Sequence, residues 1–210
     1  DSKGNVVIAN MVLNASSDPL VLHKVNLSTG ELTKIAEVNT SASARIDHPT
    51  VYGDVESGDF TVYGAAAKSG QITRWVFEGG ELAKTYTSTI SSFYPSSASN
   101  FGIAPRVFPL AQNKVLVNAE LIHPTIYTLT NNSSTLQTSL NKLSVDLVPN
   151  DAEANGACRF EFDGKYFLVY PWDTYSGDNG WQFALASCKK DMTNGQKIAV
   201  FPAGGVGTVN

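Results

Sequence analysis

The sequence predicts an all-β fold of about four four-stranded antiparallel units, and three observations carry that prediction. First, four short apolar runs recur: residues 5–9 (NVVIA), 59–63 (DFTVY), 114–118 (KVLVN) and 165–170 (KYFLVY). Their starts lie 54, 55 and 51 positions apart. Second, each run is followed by a loop, another extended segment, a turn and a further segment. Third, no amphipathic helical period interrupts the series; even residues 85–100 read as Ser/Thr-rich loop.

Each apolar run is too short for a helix and rich in β-branched or aromatic residues, which marks a strand covered on both faces. The strands that follow are residues 20–27 (LVLHKVNL), 72–77 (ITRWVF), 125–129 (TIYTL) and 182–188 (QFALASC). The first two copies then share Gly-Glu-Leu at Gly30 and Gly80, and the cations Lys24 and Arg74 keep the same offset of 50. In the later copies Asn131-Asn132-Ser133 and Thr193-Asn194-Gly195 take the turn, residue types that tolerate positive φ. Before three of the runs lie Ala44-Arg45-Ile46, Ala104-Pro105-Arg106-Val107 and Ala157-Cys158-Arg159-Phe160, read as an Arg-marked first strand. The first copy lacks that strand, which residues 204–210 (GGVGTVN) are placed to supply if the ring closes on itself.

Four-stranded units at a period near 50 are the pattern of β-propeller blades. One such sheet cannot bury both faces alone, and stacking around an axis covers its middle strands on both sides. The expected organisation is a single β-propeller-like domain over 1–210, with units at about 1–40, 41–92, 103–145 and 156–203, and more blades outside it if the full ring is larger. The pattern resembles propeller repeats of uncharacterised surface lipoproteins of gut Bacteroidetes, in which such a domain often follows immunoglobulin-like modules. That resemblance covers nearly the whole chain but brings no catalytic motif. It implies an extracellular or cell-surface setting (bacterial outer membrane or periplasm), a lipid anchor in the full-length protein, and a binding role.

Composition narrows the ligand. Fifteen Lys and Arg stand against 19 Asp and Glu, a formal charge of −4, which argues against a nucleic-acid partner. Ser, Thr and Asn fill 53 of 210 positions, and charged residues only 16%, the balance of a secreted protein more than a cytosolic enzyme. No apolar run approaches the roughly 18 residues of a membrane span. The two cysteines, Cys158 and Cys188, fall on the first and third strands of the last unit. With one strand between them they stand about 9–10 Å apart, beyond disulfide reach of about 7 Å, so two buried thiols are expected.

Two constellations stand out as candidate sites. The segment 170–181 (YPWDTYSGDNGW), read as a loop, gathers Trp172, Asp173, Tyr175, Asp178, Asn179 and Trp181. Aromatic faces stack on sugar rings or anchor protein interfaces, and the acids and amide hold hydroxyls; the plainer alternative is that the tryptophans pack under a hairpin. Asp173, Asp178 and Asn179 offer oxygens to calcium, but their spacing lacks the EF-hand pattern, and no metal or cofactor is expected. Second, Arg45, Arg106 and Arg159 would form a partial anion-binding ring if equivalent strands line a channel. Pairing with a local acid such as Asp47, Glu161 or Asp163 is the scaffold alternative. His23, His48 and His123 are scattered without ligand spacing.

Nucleophile-elbow, zincin, P-loop and dinucleotide motifs are absent. The sequence therefore points to a non-catalytic domain binding a glycan or protein through loops at one end. The alternatives are a carbohydrate-active hydrolase or lyase, with acids such as Asp47, Asp54, Glu120 or Asp173 at a channel mouth, and a purely structural spacer.

Overall fold

In the computed structural model the described residues are 1–11, 18–40, 46, 49–65, 71–89, 106–119, 122–130, 133–137, 152–154, 158–174, 182–190 and 195–202. Among them there is no helix, and every strand pair is antiparallel. The strands form four separate sheets in chain order. The first comprises β1 (Val7–Met11), β2 (Asp18–Val25) and β3 (Leu32–Thr40). The second holds β4 (Thr50–Asp54), β5 (Asp59–Ala65), β6 (Gln71–Glu78) and β7 (Glu81–Thr89). In the third are β8 (Arg106–Ala111), β9 (Lys114–Ala119), β10 (Ile122–Thr130) and β11 (Ser133–Gln137). The fourth contains β12 (Ala152–Ala154), β13 (Cys158–Phe162), β14 (Lys165–Thr174), β15 (Gln182–Cys188) and β16 (Gln196–Pro202). Strands follow sequence order across each sheet, except that β12 and β13 both lie along one side of β14.

The sheets stack through two apolar layers. Between the first and second, Leu20, Leu22 and Val38 meet Phe60, Trp75 and Phe77. Phe60 and Phe77, opposite each other in the ladder, stack with ring centroids 4.6 Å apart. Between the second and third, Tyr63, Ala65 and Ile72 meet Val115, Tyr127 and Leu129. The second sheet is thus covered on both faces, which is why β5 is buried at six consecutive residues after Asp59 rather than at alternate ones. Outer β7 is exposed over its first five residues, having no neighbour beyond it. On the far side of the third sheet, Leu116 and Ile126 are also buried, and β12 lies against β9 and β10.

Tyr63 ties this second layer together. Its ring is fully buried, and its hydroxyl donates to the Gln112 carbonyl at 2.5 Å. Burial raises the phenol pKa above the ordinary 10.0, against the opposing pull of the Arg74 charge. The folded chain therefore keeps a proton that the unfolded chain gives up above pH 10. Tyr63's contribution is full below pH 10 and falls as pH rises, with a slope of about 1.4 kcal/mol per pH unit. Tyr63→Phe should cost about 1 kcal/mol at neutral pH through the lost hydrogen bond. It should also remove one proton's worth of slope from urea-unfolding free energies measured between pH 9 and 11.5.

Most inner strands lie where the apolar runs and their successors place them. Three features differ. The second sheet's first strand begins at Thr50, later than the 44–46 expected: Ile46 forms a bridge, and residues 44 and 45 lie outside the described residues. In the fourth sheet the first strand is interrupted between Ala154 and Cys158. And the segment read as a loop from Tyr170 is strand through Thr174, with Trp172 paired to both Ala154 and Gln182. Cys158 and Cys188 do flank β14, opposite Val169 and Tyr166 respectively. Cys188 is in no disulfide and is half-buried rather than buried. Residues 204–210 lie outside the described residues.

Candidate functional site

A strand from each sheet borders one cavity of about 810 Å3. Val7 and Ala9 of β1, Thr50 and Tyr52 of β4, Phe108 of β8 and Arg159 of β13 all face it. The wall is braced from sheet to sheet: the Thr50 hydroxyl donates to the Val107 carbonyl at 2.9 Å, and the Ser2 hydroxyl to that of Gly53 at 2.7 Å. Asp1 and Glu161 are carboxylates on this wall. Asp1 is committed to structure, because its oxygens accept from the backbone N–H groups of Lys3, Asn5 and Val55 and from the Asn5 amide.

A second cavity, of about 470 Å3, adjoins the same arginine and is lined by Leu110, Lys114, Arg159, Lys189 and Lys190. Of its five described lining residues four are cations, and none of the five is acidic. Lys114 opens β9 directly after the Gln112-Asn113 turn, while Lys189 and Lys190 follow the end of β15. Arg159 is held in place from two directions. Its Nη1 donates to the Lys190 carbonyl, and the guanidinium lies 5.2 Å from the Tyr166 ring centroid. That leaves further guanidinium N–H groups on a planar fork, the geometry that suits a carboxylate, with ammonium groups nearby as mobile point charges.

Of the residues singled out by sequence, Arg159 and Glu161 are shown lining these cavities. Arg106 opens β8 opposite Asn118, whereas Arg159 lies opposite Leu168. Counted from Lys114 and Lys165, which open the partner strands, those positions are four and three residues in. Val107, opposite Val117, therefore holds the register position that corresponds to Arg159. Trp172 and Asp173 are on β14. Arg45, Tyr175, Asp178, Asn179 and Trp181 lie outside the described residues, as do Asp47, Glu120 and His48. Asp54 shapes a turn, its Oδ1 accepting from the N–H groups of Glu56 and Ser57. Asp163 occupies the β13–β14 turn with φ of 51°.

Lys114, Lys189 and Lys190 were not evident from the sequence as site residues. The one local signal is that Lys189-Lys190 is the only pair of adjacent cations in the chain. Among the described residues no group of three or more His, Cys, Asp or Glu is arranged to hold a metal ion, and no helix is long and apolar enough to cross a membrane. No protein-family model and no curated protein matches this sequence.

Proposed function

We propose that this chain is a non-catalytic, β-propeller-like binding domain of the cell surface or extracellular space, and that it takes acidic glycans at the basic cavity beside β13. The clustering of Lys114, Arg159, Lys189 and Lys190 around one concavity carries the ligand assignment. In a chain of net charge −4, four of fifteen cations gathered with no acid among the described lining residues create a local field that favours an anion. A polymer with spaced carboxylates suits it better than nucleic acid, whose dense phosphates would meet the surrounding negative charge.

The propeller reading is supported by four sheets in chain order, each with a strand on one shared cavity. Two outward faces also suggest a larger ring. At β1, Val6 just before the strand and Ile8 within it are 42% and 40% exposed while Val7 and Ala9 pack inward. On β13, Phe160 and Phe162 are 42% and 71% exposed while Arg159 and Glu161 face the shared cavity. Further sheets would cover such faces as the second sheet's are covered.

The test is affinity electrophoresis in gels containing polygalacturonate, dextran or no polymer. Polygalacturonate should retard the chain, dextran should not, and the effect should fade as salt rises. Lys189→Gln with Lys190→Gln, both at exposed sites, should weaken binding about thirty-fold, since each loses on the order of 1 kcal/mol of attraction. Undiminished binding in that double variant, or equal retardation by dextran or a DNA duplex, would sink the assignment.

A further inference from the structure

The repeat places two cations at equivalent positions with unequal fates. Lys24 of β2 and Arg74 of β6 lie 50 residues apart, opposite Val7 of β1 and Tyr63 of β5, and both reach toward the following sheet. Lys24 meets an acid there: its Nζ is 2.5 Å from Glu56, which belongs to the turn joining β4 and β5. Arg74 faces the corresponding turn of the third sheet, between β8 and β9, and that turn is Gln112-Asn113. Among the described residues no carboxylate answers it.

Arg74 is only 6% exposed. Its Nη1 donates to the Leu129 carbonyl at 3.3 Å, and its guanidinium lies 5.0 Å from the Tyr86 ring centroid. Nε and Nη2 are buried with no hydrogen-bond partner. These two are the edge of the guanidinium that grips a carboxylate bidentately. The same residue borders a cavity of about 310 Å3, with Tyr86, Lys84, Glu78, Gln112 and Asn113 on its wall. Glu78 is no substitute for the missing acid: it is exposed and stands 3.8 Å from Lys84, with which it balances charge. Among the described residues the wall therefore carries one uncompensated positive charge, at Arg74.

We infer that this crevice between the second and third sheets is a separate carboxylate-binding site, taking a single uronate residue with its acid group on the free edge of Arg74. The volume accommodates one hexose ring. The exposed amides of Gln112 and Asn113 supply both donors and acceptors for ring hydroxyls. The choice of a sugar acid rests on the glycan reading above; the carboxylate itself rests on Arg74.

Calorimetric titration of the chain with D-glucuronate tests this, with methyl glucoside as the uncharged analogue and an acetylated Glu-rich peptide as the protein-type competitor. Glucuronate should bind and methyl glucoside should not. Gln112→Glu installs on the turn the acid that Lys24 already has, so it should raise Tm and weaken glucuronate at least ten-fold, about 1.4 kcal/mol. Arg74→Lys keeps the charge but loses the fork, and should weaken it similarly. Should Arg74→Lys misfold, Gln112→Glu decides alone. The Lys189→Gln/Lys190→Gln variant should keep its glucuronate site. If that variant loses glucuronate entirely, or Gln112→Glu binds as well as the parent, the Arg74 site is wrong while the basic cavity stands. Binding of the peptide without glucuronate, or equal binding of methyl glucoside, overturns it as well.

Discussion

Gly58→Ala is expected to destabilise the chain by about 3–4 kcal/mol, whereas Gly79→Ala, a neighbour in space, should cost only about 1. Both glycines have positive φ, 82° and 58°. An L residue loses roughly 1–2 kcal/mol in that region, and this is the whole expected effect at Gly79, where an added Cβ meets nothing within 4 Å. At Gly58 the Cβ would lie 2.2 Å from the Gly80 nitrogen and 2.6 Å from the Gly79 carbonyl carbon. Those are backbone atoms, so the turn between β4 and β5 must leave the turn between β6 and β7. The Gly80 N–H to Gly58 carbonyl bond, 3.0 Å, breaks with that movement. Further strain falls on the Gly79 N–H to Asp59 carboxylate bond, 2.9 Å. Urea denaturation of both variants measures the difference. Equal costs would mean that the two turns are not docked in solution.

That docking is an example of what one sequence does and does not disclose. Glycines in both turns are visible at once, but their mutual contact spans 21 residues and depends on the strand register. The strand positions were legible because middle strands buried on both faces become unbroken apolar runs, and the spacing of those runs reflects sheet after sheet of similar size. First strands were harder to place. Residues 44–46 have the composition of a strand, yet the ladder of the second sheet's first strand runs from Thr50, beyond Pro49.

The arginines show why a repeated residue need not be a repeated position. Arg106 and Arg159 each follow a small residue closely and precede an apolar stretch, yet they take different register positions, Arg106 opposite Asn118 and Arg159 opposite Leu168. The basic cavity was illegible for another reason: Lys114 and Lys189 are 75 residues apart and meet only because the third and fourth sheets are adjacent. Lys24 and Arg74 did keep their shared offset in three dimensions. Their difference lies in what the next turn offers them, which neither residue's own neighbourhood reveals.

Leu22→Ala should cost about 3 kcal/mol, within the range for a fully buried leucine whose site collapses only partly, while Phe162→Ala should change stability by less than about 0.5 kcal/mol. Leu22 is 0% exposed in the layer shared with Trp75 and Phe77; Phe162 is 71% exposed on the outward face of the fourth sheet. The contrast follows from stacking: a side chain is worth what the next sheet lays over it. It also tests whether stacking continues. A loss of 2 kcal/mol or more in Phe162→Ala would mean that this face is covered in solution. If that loss grew with protein concentration, a second copy would be the cover, applying to the fourth sheet the same junction that joins the first to the second. If it were independent of concentration, the cover would come from the same chain, and the four sheets would close on themselves. A negligible loss leaves the face open, as a domain that takes its place in a larger ring requires of its last sheet.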